Sequence, residues 1–70
     1  MVCNEYIVCQ RTETGRVVKG MIYADSMPAT LPTDGTDIDG LSSKDTLAVG
    51  SILIAPSAKK MLFPGGWEDI

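Results

Sequence analysis

The sequence predicts a small all-β domain, and three observations predict it. Its apolar segments are short and rich in β-branched and aromatic residues, as in Glu5-Tyr6-Ile7-Val8-Cys9-Gln10-Arg11-Thr12 and Ser51-Ile52-Leu53-Ile54-Ala55. None of them shows the three-to-four-residue apolar stripe of an amphipathic helix. Gly, Pro, Asn and Asp punctuate the chain between them, as they do at turns. With 70 residues there is room for one domain only.

The first strand is expected over residues 4–12. Glu13-Thr14-Gly15 follows, with Gly15 suited to the left-handed conformation of a bulged hairpin turn. The chain returns as Arg16-Val17-Val18-Lys19-Gly20-Met21-Ile22-Tyr23-Ala24, whose apolar residues occupy both faces. Residues 4–24 thus form an N-terminal hairpin.

Residues 25–49 read as an extended acidic connector. Pro28 and Pro32 interrupt regular structure, and Gly35 and Gly40 mark turns. From Asp25 to Thr46, five aspartates face the single Lys44, so the stretch carries −4 and the rest of the chain +1. One short helical turn is expected near Ser42–Leu47, capped by Ser43. A second hairpin occupies residues 50–67. In it Ser51–Ala55 turns at Pro56-Ser57-Ala58 and returns as Lys59-Lys60-Met61-Leu62-Phe63, and Pro64-Gly65-Gly66 ends that strand before Trp67.

Composition excludes several function classes. Two cysteines and no histidine fall short of a four-ligand zinc site. Six positions apart on one strand, Cys3 and Cys9 stand about 20 Å from each other, beyond disulfide reach. Two free thiols fit a reducing compartment. Six cations against nine acids form no basic face for nucleic acid, and Lys59 and Lys60 read as charges guarding an edge strand. The longest uncharged stretch, Thr46 to Ala58, spans 13 residues and is too short to cross a membrane. An acid at Glu5, where a secretory leader would be basic, argues against such a leader and for a soluble protein.

Two motifs suggest chemistry and fail on spacing or context. Aligning Gly40 of Asp34-Gly35-Thr36-Asp37-Ile38-Asp39-Gly40 with the glycine of a calcium-binding EF-hand loop puts Gly35 at the first ligand position. Thr46 then falls where a bidentate glutamate is required. Ser57-Ala58-Lys59-Lys60 matches the Ser-x-x-Lys nucleophile motif, but in a hairpin turn rather than at a helix start. Without histidine, acid–base work near neutral pH would require a carboxylate raised by burial in a pocket. No catalytic residue, cofactor or metal is expected.

The candidate interface has two parts. Ile52, Leu53 and Ile54 face Met61, Leu62 and Phe63 with no polar alternation, so both faces of the C-terminal hairpin need cover. The cover is either the acidic connector folding back or a second subunit, and the polar, proline-broken character of the connector favours the second subunit. Trp67 either closes the core or joins the interface. Asp34, Asp37 and Asp39 are the acidic counterpart on the connector.

The stretch from Met27 to Trp67 resembles small virion proteins of tailed bacteriophages. The residues that carry the likeness are Met27-Pro28-Ala29-Thr30-Leu31-Pro32-Thr33-Asp34-Gly35, Ile38-Asp39-Gly40-Leu41, Leu47-Ala48-Val49-Gly50-Ser51 and the ending Gly65-Gly66-Trp67. The likeness is to head-fibre and head-decoration proteins. It implies a non-enzymatic β protein on the outer capsid surface, bound to the major capsid protein or another virion subunit as a homo-oligomer, with no nucleic acid or membrane as partner. A fibre shaft is missing, which favours decoration. The alternatives are a tail, neck or baseplate accessory subunit and a small host-directed regulatory protein.

Overall fold

The computed structural model describes all residues, 1–70. It is all-β, with no helix and one six-stranded sheet. The strands are β1 (Val2–Arg11), β2 (Arg16–Tyr23), β3 (Thr46–Leu47), β4 (Ile52–Ala55), β5 (Ala58–Phe63) and β6 (Gly66–Asp69). Their spatial order is β1-β2-β4-β5-β6, with the short β3 also paired to β2.

β1 and β2 form the expected antiparallel hairpin, from Val2 opposite Tyr23 to Arg11 opposite Arg16. The register slips between Cys3 and Glu5 and again between Val8 and Gln10, which places bulges at Asn4 and Cys9. The turn differs from expectation, because Gly15 has no positive φ. Thr12 closes the loop instead, its amide donating to the Gly15 carbonyl at 2.8 Å and its Oγ1 accepting from the Gly15 amide at 3.0 Å. Glycine is required there because a Cβ would collide with the Lys44 carbonyl.

The two hairpins merge through parallel pairing. Met21, Ile22 and Tyr23 of β2 lie beside Ile52, Leu53 and Ile54 of β4, while Val17 and Val18 lie beside Thr46 and Leu47 of β3. Ser51 is fully buried where β3 passes to β4, and its hydroxyl accepts from the Gly20 amide at 3.4 Å. Adjacent parallel strands require a crossover connection, which must pass over one face of the sheet. Residues 24–51 are that crossover.

The C-terminal hairpin is covered on one side only. One of its faces is covered by the connector itself. Val18, Ile22, Leu53 and Leu62 of the sheet pack with Ile38 and Leu47 of the connector, and Met27, Leu31 and Leu41 flank them. Each fully buried aliphatic side chain in this layer contributes about 1.5–3 kcal/mol of transfer free energy. The connector is polar in bulk, but Met27, Leu31, Ile38, Leu41 and Leu47 pack onto the sheet, while Ala29 and Val49 stay exposed.

Three further expectations change. No helical turn forms over Ser42–Leu47. Ser42 starts a tight turn in which the Asp45 amide donates to the Ser42 carbonyl at 3.0 Å and the Lys44 amide to the Ser42 hydroxyl at 3.2 Å. Thr46 and Leu47 then go to β3. The C-terminal unit gains a strand, since Pro64-Gly65 turns the chain and β6 pairs antiparallel with β5. Gly66 takes a φ of 126° at that corner, a region glycine enters without penalty. β5 is consequently interior, and Lys60 ion-pairs with Asp69 at 3.1 Å rather than guarding an edge.

Candidate docking face

Strand alternation sorts the candidate interface residues onto two sides. Leu53 and Leu62 point into the covered layer and are buried, so neither is available to a partner. Ile52, Ile54, Met61 and Phe63 point the other way and are half-buried. Pairing sets Ile52 beside Met61 on that side. The parallel β2–β4 pairing adds Met21 next to Ile52 and Tyr23, 39% exposed, next to Ile54. Ile7 of β1, 58% exposed, stands beyond Lys19 on the same side. These residues make one open apolar face.

Tyr23 is among the large aromatic and methionine side chains that the sequence offers for an interface, whereas Met21 and Ile7 are not singled out by it. The signal for Met21 is the double-faced apolar pattern of β2, in which Met21 and Tyr23 flank the buried Ile22. A shallow groove of about 240 Å³ crosses this face between Ile7, Lys19, Met21 and Ile52. Lys19, Lys59, Glu5 and Glu68 share the face by alternation, so both signs of charge surround the apolar centre.

Trp67 belongs to the covered side. It packs against the core, and its indole Nε1 donates to the Pro32 carbonyl at 2.9 Å. This bond pins the connector to the last strand. Trp67 is thus a structural fastener and does not stand with Phe63.

The aspartates do not join the apolar face. Asp34, Asp37 and Asp39 lie in the connector, across the sheet from Ile54 and Phe63. The half-buried Asp34 accepts from the Thr36 amide at 2.9 Å, which holds its carboxyl below the usual carboxylate range. Asp37 and Asp39 are exposed, and no group of acidic, cysteine or histidine side chains is close enough to hold a metal ion. A fourth connector aspartate does internal work. Asp45 is buried and forms an ion pair with Arg16 at 2.8 Å, which lowers the carboxyl's pKa and raises the guanidinium's. The Arg16 guanidinium also stands 5.5 Å from the centre of the Tyr6 ring.

Both cysteines are free. Cys3 packs against the core, where burial pushes its thiol up, and Cys9 is exposed at a bulge. Every buried side-chain nitrogen and oxygen has a hydrogen-bond partner. The fold therefore presents no unpaired buried group aimed at a ligand.

No family model, curated protein or solved structure matches the chain.

Proposed function

We propose that this chain is a non-enzymatic structural subunit of a tailed-bacteriophage virion, docking through its open apolar face on the outer capsid. The observation that carries the reading is the inequality of the two sheet faces. One is covered by the chain's own crossover, and the other leaves Ile52, Ile54, Met61, Phe63 and Tyr23 accessible. An uncovered apolar sheet face on a small domain marks an interaction surface.

The resemblance to head-decoration proteins supports the same reading from a different part of the molecule. Its residues are those that fasten the connector: Pro32 accepts from Trp67, the Thr33 carbonyl accepts from the Leu47 amide at 3.1 Å, and Ile38 and Leu47 are core. The shared string thus encodes the crossover fold, while the docking face lies on the opposite side. Relatives of this architecture would keep the string and vary the face to suit their shells.

Quantitative mass spectrometry of purified virions tests the proposal. A decoration subunit is present in a fixed, high ratio to the major coat protein. A ratio of a few copies per particle would assign it to tail, neck or baseplate. Absence from particles would reject a structural role and favour a host-directed regulator.

A further inference from the structure

β1 is the long outer edge of the sheet, and most of that edge has no neighbour. At its start the edge is occupied, because Val2 bridges to Asp39 and the Asp39 amide donates to the Met1 carbonyl at 2.9 Å. At its end the chain leaves the strand after Arg11. The free edge therefore runs over residues 3–11, with Ile7 at its midpoint. Tyr6, Ile7 and Val8 at its centre are 36%, 58% and 38% exposed. An unpaired edge with apolar side chains is a template for another strand.

The geometry points to a second copy of this chain as the occupant, its β1 pairing antiparallel with this one about a two-fold axis at Ile7. The bulges at Asn4 and Cys9 confine regular pairing to the residues between them, and an axis at Ile7 pairs Tyr6–Val8 of the two copies there. The facing of the side chains selects it independently. Pairing to Gly20 and Val18 puts Tyr6 and Val8 on the covered side, and pairing to Lys19 puts Ile7 on the open side. About Ile7, Tyr6 of one copy lies across from Val8 of the other on the same side, and Ile7 lies beside its own counterpart. Aromatic and β-branched residues are favourable cross-strand partners.

Neighbouring registers oppose like charges, run into the occupied end of the edge or mismatch the faces. An axis at Glu5 sets two carboxylates against each other. An axis at Tyr6 runs Gln10 into Val2, whose outer edge Asp39 already holds. An axis at Val8 opposes Glu5 on the open side to Arg11, which the Cys9 bulge has turned to the covered side beside Arg16. In the Ile7 register the two charges of the edge face Cys9 and Cys3 instead. The bulges at Asn4 and Cys9 leave Glu5–Val8 between them straight enough to pair. The two-fold axis stands perpendicular to the sheet, so both open faces end on one side as a doubled docking surface.

The test is made on the isolated full chain, without capsids, so its outcome is independent of where the protein docks. In a Cys3→Ser, Cys9→Ser background, Ile7→Cys places a thiol on the axis, where opposed Cα atoms lie about 4.5–5.5 Å apart, within disulfide reach. Treatment with diamide, which takes up the two thiol hydrogens, is expected to convert this variant to a covalent dimer. Gln10→Cys in the same background faces Asn4 and is expected to remain uncrosslinked. Ile7→Lys is expected to sediment as a monomer with an unchanged circular dichroism spectrum, because Ile7 is exposed. A wild-type chain that sediments as a monomer at every concentration would overturn the proposal. So would crosslinking of Gln10→Cys as readily as Ile7→Cys.

Discussion

Arg16 and Asp45, 29 residues apart in sequence, are joined by three hydrogen bonds. The Arg16 Nη2 donates to Asp45 Oδ2 at 2.8 Å, and its Nε and backbone amide donate to Oδ1 at 3.2 and 3.1 Å. The same carboxylate accepts from the Ser42 amide at 2.9 Å, so one side chain ties the start of β2 to the end of the connector. Charge-assisted bonds of this fork geometry are stronger and more directional than neutral ones. The pair fixes where the crossover re-enters the sheet.

Acid should loosen this clamp. The Asp45 carboxyl is held well below its ordinary range by Arg16, then by the Ser42 amide. A carboxyl depressed in the folded state stabilises the fold above its unfolded pKa, about 3.9, and loses that contribution as pH falls through the folded value. Asp34 acts with the same sign. Melting temperature should therefore hold level from neutral pH down to about pH 5 and fall below about pH 4. Asp45→Asn should melt lower at neutral pH and show a flatter acid limb. An acid limb identical to wild type would remove Asp45 as its cause.

Leu53 should be the most sensitive single core position of the C-terminal unit. It is fully buried between β2 and β5 and touches the covered layer that unites both hairpins. Leu53→Ala should destabilise by about 2–5 kcal/mol in chemical denaturation. Ile54→Ala, one residue along on the open face, should cost clearly less.

Trp67→Phe should detach one end of the connector. It removes the Nε1 donor to the Pro32 carbonyl, a loss of about 0.5–1.5 kcal/mol. Hydrogen exchange should then quicken at the Leu47 amide, which donates to the adjoining Thr33 carbonyl. Unchanged protection there would show that the connector is held without the indole.

Docking driven by the open face should depend weakly on salt. Screening affects exposed charge pairs and leaves apolar contact largely intact. Steep loss of capsid binding at high salt would move the contact to Asp37 and Asp39 on the connector.

The sequence made some of this fold legible and hid the rest for physical reasons. The N-terminal hairpin and the β4–β5 hairpin were readable because antiparallel neighbours are joined by local turns, such as Pro56-Ser57. The β2–β4 pairing was not, because parallel strands carry no turn between them and their partnership is set by packing. The connector's return to the sheet was obscured by its aspartates and prolines, although Met27, Leu31, Ile38, Leu41 and Leu47 are spaced to supply an apolar underside. β6 is hidden in the sequence because Gly65-Gly66 reads equally as a terminator and as a hairpin corner. Of the ten candidate interface residues, Ile52, Ile54, Met61 and Phe63 share the open face, and alternation alone separates them from Leu53 and Leu62. Only the crossover reveals which set is covered.

The most direct test of the account is co-sedimentation with capsids assembled without this protein, comparing wild type, Ile54→Lys and Asp37→Asn. Ile54 lies on the open face between Tyr23 and Lys59 and Asp37 on the far side of the sheet, and neither is buried. Wild type and Asp37→Asn should pellet with capsids at equal occupancy while folded Ile54→Lys stays in the supernatant. Equal binding by Ile54→Lys, or loss of binding by Asp37→Asn alone, would contradict it.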